Sequence, residues 1–127
     1  MADLKASGVC GPVTMNIAKG TYTGQVALEG DISGASSANT ITFKSATGKQ
    51  ADVIFAYSST GTSKLTTFLL KNTSYIIMRD VTFEAKGTSY GWPTQVWSAS
   101  NISFINCHFK CKYIGTSSYN NNLVISN

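Results

Sequence analysis

The chain has 127 residues, of which 43% are apolar and only 13% charged. That length bounds one domain, and the apolar share suffices for a continuous core. Ser, Thr, Asn and Gly are abundant and prolines number two, which points to an all-β protein with many turns and away from a helical bundle. The formal charge is +4, but the ten Lys and Arg are scattered singly, so no nucleic-acid partner is expected.

In chain order, "ADLKASG" at residues 2–8 predicts a short helix, with Gly8 suited to its C-terminal end. "VTMNI" then alternates Val13, Met15 and Ile17; "QVAL" alternates Val26 and Leu28. "TITF" follows with Ile41 and Phe43, and "DVIFAY" with Val53, Phe55 and Tyr57. A period of two over such short runs predicts strands. The stretches between them, "AKGTYTG", "GDISGASSAN", "KSATGKQ" and "SSTGTSK", are dense in small polar residues and predict turns and loops.

Further on, "SYIIMRDVTF" and "SNISFINCHF" share one layout, displaced by 26 residues. Ile76 falls on Ile102, Met78 on Phe104, Asp80 on Asn106, Val81 on Cys107 and Phe83 on Phe109. Ile76 and Met78 share one parity, Val81 and Phe83 the other. The switch predicts a corner at Arg79–Asp80, where a small polar side chain bonds backbone amides freed by the bend. A fixed period of this length predicts stacked coils of three short strands and three corners. The expected fold is therefore a right-handed parallel β-helix, a solenoid of about 26 residues per coil. Residues 1–12 are expected to cap it and 13–127 to form its coils, in a single domain that is the N-terminal fragment of a longer solenoid. "ISN" at the end aligns with "ASN" at 99–101, again 26 apart, which predicts that the chain stops inside a new coil. Such an open C-terminal coil is expected to self-associate.

"GVCGPVTMNIAKGTYTGQVAL", "ISGASSANTITFKSATGKQADV" and the two later coils together resemble right-handed parallel β-helix domains of large secreted Bacteroidetes surface proteins. The architecture is that of the pectate-lyase-like superfamily. The resemblance covers nearly the whole chain and implies a secreted, extracellular or cell-surface location, often in adhesins exported by type IX secretion. The fold hosts lyases, hydrolases, adhesins and passive spacers, so it does not itself assign an activity. "MADLKASG" has no apolar h-region, so secretion would need a leader ahead of it. No apolar run reaches the roughly 18 residues of a membrane span, and no membrane insertion is expected.

Chemistry-bearing residues are sparse. Polysaccharide lyases of this fold need an acidic calcium cluster beside an Arg or Lys base, and calcium takes six to eight oxygens. The acidic residues are Asp3, Glu29, Asp31, Asp52, Asp80 and Glu84, with no stacked column among them. Arg79, the only arginine, reads as a surface residue near Asp80 and Glu84. That carboxylate pair has no repeat-spaced partner to frame a glycosidase cleft. Cys107, Phe109 and Cys111 share a parity and His108 points the other way, so core thiols are expected instead of zinc. Cys10, Cys107 and Cys111 cannot all pair with one another. "TYT" and "TIT" do not recur at one coil position and form no threonine ladder.

"YGWPTQVW" places Tyr90, Trp92 and Trp97 in or beside a loop between coils. Aromatic planes there suit the C–H faces of sugar rings; the competing expectation is that Trp97 enters the core and Trp92 covers a loop. The expected function is a non-enzymatic structural or adhesive module, with polysaccharide as a partner at Tyr90, Trp92 and Trp97 and with no cofactor or metal. The alternative is the N-terminal part of a polysaccharide lyase or glycoside hydrolase whose active coils lie beyond residue 127.

Overall fold

The computed structural model describes residues 2–61, 63–88, 90–112 and 123–126. After one short helix, α1 (Ala2–Ser7), the strands come in successive triplets. The first holds β1 (Val13–Ile17), β2 (Gly20–Thr23) and β3 (Val26–Glu29); the second holds β4 (Ile41–Ser45), β5 (Val53–Tyr57) and β6 (Thr66–Lys71). The third holds β7 (Ser74–Arg79), β8 (Thr82–Ala85) and β9 (Trp92–Trp97); the fourth holds β10 (Ser100–Ile105), β11 (His108–Cys111) and β12 (Leu123–Ser126).

Three four-stranded sheets result, in the orders β1-β4-β7-β10, β2-β5-β8-β11 and β3-β6-β9-β12. Every pairing is parallel and joins a strand to the one three places along the chain. The register between the last two triplets follows the 26-residue echo: Ile76 pairs with Ile102, Met78 with Phe104 and Phe83 with Phe109. The backbone repeats as well. Asn72 and Ser98, Tyr75 and Asn101, and Asp80 and Asn106 are three such pairs, and all six residues have positive φ. At the corner read from the sequence, Asn106 Nδ2 donates to Asp80 Oδ1 at 2.7 Å.

The 26-residue spacing does not extend to the whole chain. Ile41 pairs with Ile76, and Val26 with Phe68, much further along. The extra residues sit in corners, at 30–40, 46–52 and 58–65, where they leave strand pairing undisturbed. Three local expectations also change. "GTYT" within a stretch read as a turn is β2, because Tyr22 pairs in register with Phe55 and its ring lies tilted against the Phe55 ring, centroids 5.7 Å apart. "WPTQVW" is β9 and not a loop, because Thr94 and Val96 continue the inward columns of Phe68 and Leu70. Ile125 pairs with Val96 and not with a position near Ala99, so β12 is the third strand of its triplet and begins no new one.

The core is one cluster built from the inward columns. Ile41, Ile76 and Met78 come from the first sheet, Val53 and Phe83 from the second, Leu28 and Leu70 from the third; all are buried. Phe55, Phe83 and Phe109 stack along the second sheet, with centroids 5.8 and 5.4 Å apart. Phe68 and Phe104 meet Phe83 edge-on. Columns are shielded best in the middle of each sheet. In the outer strands Val13, Met15, Ile17, Ile102, Phe104 and Phe109 are only partly buried.

Helix α1 ends at Gly8 (φ 70°), whose amide donates to the Leu4 carbonyl. Leu4 and the buried Val9 pack against the core, and Val9 N donates to Ser33 O. A Cβ on Gly34 would collide with the Val9 carbonyl, so that close approach requires glycine. The covering is partial, since the β1 side chains remain partly exposed.

Candidate functional site

The outer face of the third sheet carries a groove, a cavity of ≈ 260 Å³. Its construction follows from strand alternation. Phe68, Leu70, Thr94 and Val96 point inward, which turns Leu69, Gln95 and Trp97 outward. Thr66, Leu69 and Gln95 form the floor, and Trp92 and Trp97 flank it. Gln25 joins from the corner before β3, and Ser63 and Leu65 from the longer corner at 58–65.

Hydrogen bonds hold the polar part. Gln25 Nε2 donates to Thr66 O at 2.9 Å, and Thr66 Oγ1 donates to Gln95 Oε1 at 3.1 Å. Trp92 N donates to Leu65 O at 2.9 Å, tying β9 to the groove wall. The Trp92 indole Nε1 is buried without a hydrogen-bond partner among the described residues. Trp97 is 38% exposed, and the Lys71 ammonium lies 4.3 Å from its ring centroid. Among the described residues no carboxylate lines the groove.

Of the three aromatics picked from the sequence, Trp92 and Trp97 share this groove, whereas Tyr90 does not line it. Trp97 stays outside the core, contrary to the competing expectation. Gln25, Leu69 and Gln95 were not anticipated. Their signal lay in "TTFLLK", an unread strand: once β6 is in register with β3 and β9, Leu69 falls beside Ala27 and Gln95.

The titratable residues are dispersed. Arg79 is exposed and makes no ion pair with a described residue. Asp31 accepts from Ser74 Oγ at 2.8 Å, and Asp80 accepts from Asn106. Glu84 lies in register with Lys110. Asp52 accepts from Thr47 Oγ1 at 2.8 Å and pairs with Lys19 Nζ at 3.2 Å. The Thr47 bond first, and Lys19 second, lower the Asp52 pKa below its ordinary 3.8. Burial raises the Cys107 thiol above its ordinary 9.0, while its Sγ lies 3.4 Å from Met78 O. His108 is exposed on the opposite face of β11, and Cys10 is exposed and unbridged. Among the described residues no group of three or more His, Cys, Asp or Glu is placed to hold a metal ion. No described helix is long and apolar enough to cross a membrane.

No family model, curated protein or solved structure matches the chain.

Proposed function

We propose that the chain forms the coils of a right-handed parallel β-helix and serves as a non-enzymatic structural and adhesive module of a secreted cell-surface protein. The carrying observation is the pairing of every strand with the one three places along, always parallel. Each triplet then advances by one inter-strand spacing, about 4.8 Å. Parallel crossovers are right-handed in nearly all known sheets, which supports the hand. The resemblance to pectate-lyase-like β-helices of large surface proteins supports the location. On this reading the third-sheet groove is the adhesive face.

Two observations favour adhesion over catalysis. Asp31, Asp52 and Asp80 are each engaged by a neighbouring side chain, and the one arginine is exposed and makes no ion pair with a described residue. A general base needs a tuned setting around it. The test is incubation with pectin, alginate and chitin-type polymers in the presence of calcium. No unsaturated or reducing ends should appear above blank. Turnover abolished by Arg79→Ala would overturn the proposal in favour of a lyase.

The module's partner besides polysaccharide is a second copy of itself. Strands β10, β11 and β12 each have a single described neighbour, and Ile125, in the inward column of Val96, is 73% exposed. An unpaired strand edge beside apolar side chains is a template for another strand.

A further inference from the structure

We propose that the outer groove of the third sheet binds a neutral polysaccharide, held between Trp92 and Trp97 and hydrogen-bonded by Gln25. The proposal rests on the adhesive reading and supplies its ligand class.

Sugar rings present apolar C–H faces and a rim of hydroxyls. The groove offers the matching pair of surfaces: two indoles and Leu69 for the faces, neutral amides and hydroxyls for the rim. Gln25 is already oriented by its bond to Thr66 O. Its side-chain carbonyl oxygen has no partner among the described residues and can accept from a sugar hydroxyl. A polar group fixed before binding loses less entropy when the ligand arrives.

Charge selects among sugars. Among the described residues no Asp, Glu, Lys or Arg lines the groove. A uronic-acid polymer would bring carboxylates that call for an Arg or Lys partner or for calcium. Lys71 stands against the Trp97 ring at the flank. Its aliphatic stem and charge brace the indole, so its role is to position Trp97. The ≈ 260 Å³ volume lies below the roughly 300–1,000 Å³ of pockets for drug-sized ligands, so the contact covers a short stretch of a longer polymer.

The chain supplies its own probe, because its two tryptophans both line the groove. Intrinsic fluorescence of the full chain is titrated with soluble β-glucan, xylan and mannan, and in parallel with polygalacturonate and alginate. A saturable change with at least one neutral polymer is expected, unaltered by about 0.5 M salt, where charge interactions are screened. Trp97→Ala should weaken it at least about tenfold, Gln25→Ala less, and Trp97→Phe should restore part of it. Trp97 is a surface residue, and an unchanged thermal midpoint will show that Trp97→Ala is folded. Uronate binding that is lost in salt and in Lys71→Met would overturn the neutral class while leaving glycan adhesion standing. No response to any polymer would overturn the groove as a glycan site, and the scaffold role would remain. New reducing ends from a bound neutral polymer would support the groove assignment and overturn the non-enzymatic reading.

Discussion

Phe83 is the best-buried ring of the molecule's aromatic column, lying between Phe55 and Phe109 with no exposed surface. Phe83→Ala should therefore cost about 3–5 kcal/mol, the range for large-to-small changes in a core. Phe109, partly exposed in the outer strand, should cost less; denaturant unfolding of both variants checks the order. Backbone strain is a second residue-scale matter. Ser98 has φ 48°, in the left-handed region that costs most L-residues roughly 1–2 kcal/mol. Asn72 occupies the equivalent place one triplet earlier, and asparagine tolerates that region. Ser98→Asn should recover part of this cost and raise the thermal midpoint, and Asn72→Ser should lower it. Unchanged midpoints in both would show that the corner is not strained.

At the scale of elements, the corners carry the variation and the strands the constancy. The corner at 46–52 is bulged but well tied: Ser45 and Thr47 share a hydroxyl contact, Thr47 bonds Asp52, and Lys19 pairs with Asp52 from the previous triplet. Asp52 has a lowered pKa, so its contribution is fully present above its ordinary 3.8 and is lost as pH falls through the lower folded value. Thermal midpoints of the chain and of Asp52→Asn should differ by a constant amount near neutrality. The gap should close in acid below 3.8. Lys19 is largely exposed, so salt should narrow the neutral gap only slightly if the Thr47 bond dominates. The corner at 58–65 has a different consequence. Ser59 Oγ bonds the Gly61 and Lys64 carbonyls, which folds the loop back and sets Ser63 and Leu65 as one wall of the third-sheet groove.

The whole molecule has two unlike ends. Leu4 and Val9 pack against the core near the first triplet, where Val13, Met15 and Ile17 are partly buried, whereas in the last triplet Ile102, Phe104 and Phe109 are partly buried and Ile125 is largely exposed. Association should run through the β10, β11 and β12 edges, in a symmetric pair where the two edges meet. Light scattering across a dilution series should show a concentration-dependent dimer, and Ile125→Lys should shift the equilibrium to monomer. A chain monomeric at every concentration, with the variant indistinguishable from it, would rule this interface out.

Local regularity is what the sequence by itself determined. Alternation in "VTMNI", "TITF" and "DVIFAY" depends on neighbours two residues apart, and the 26-residue echo of "SYIIMRDVTF" in "SNISFINCHF" depends on matched strand pairs; both survive into the register. The short helix near the start was legible because capping is local; at the corner the polar residues were legible but their bonding was not, since Asn106 Nδ2 donates to Asp80 Oδ1 of the neighbouring triplet and no backbone amide serves as the expected partner among the described residues. Where strands are separated by corners of unequal length, no period remains to read. Hence β2, β6 and β9 escaped, although Phe68 and Val96 fill the same core as the rest and Tyr22 lies in register with the buried Phe55. The 26-residue match of "ISN" to "ASN" was misleading, because β12 follows a longer connection and its register came from pairing with β9. Only the tertiary structure decided the groove. Gln25, Thr66 and Gln95 are far apart in the chain and become neighbours only when β3, β6 and β9 stack, which also turns Trp97 outward on the face it shares with Leu69. Which polar side chains converge on one face is set by the alignment of strands across long corners, and no local pattern encodes that alignment.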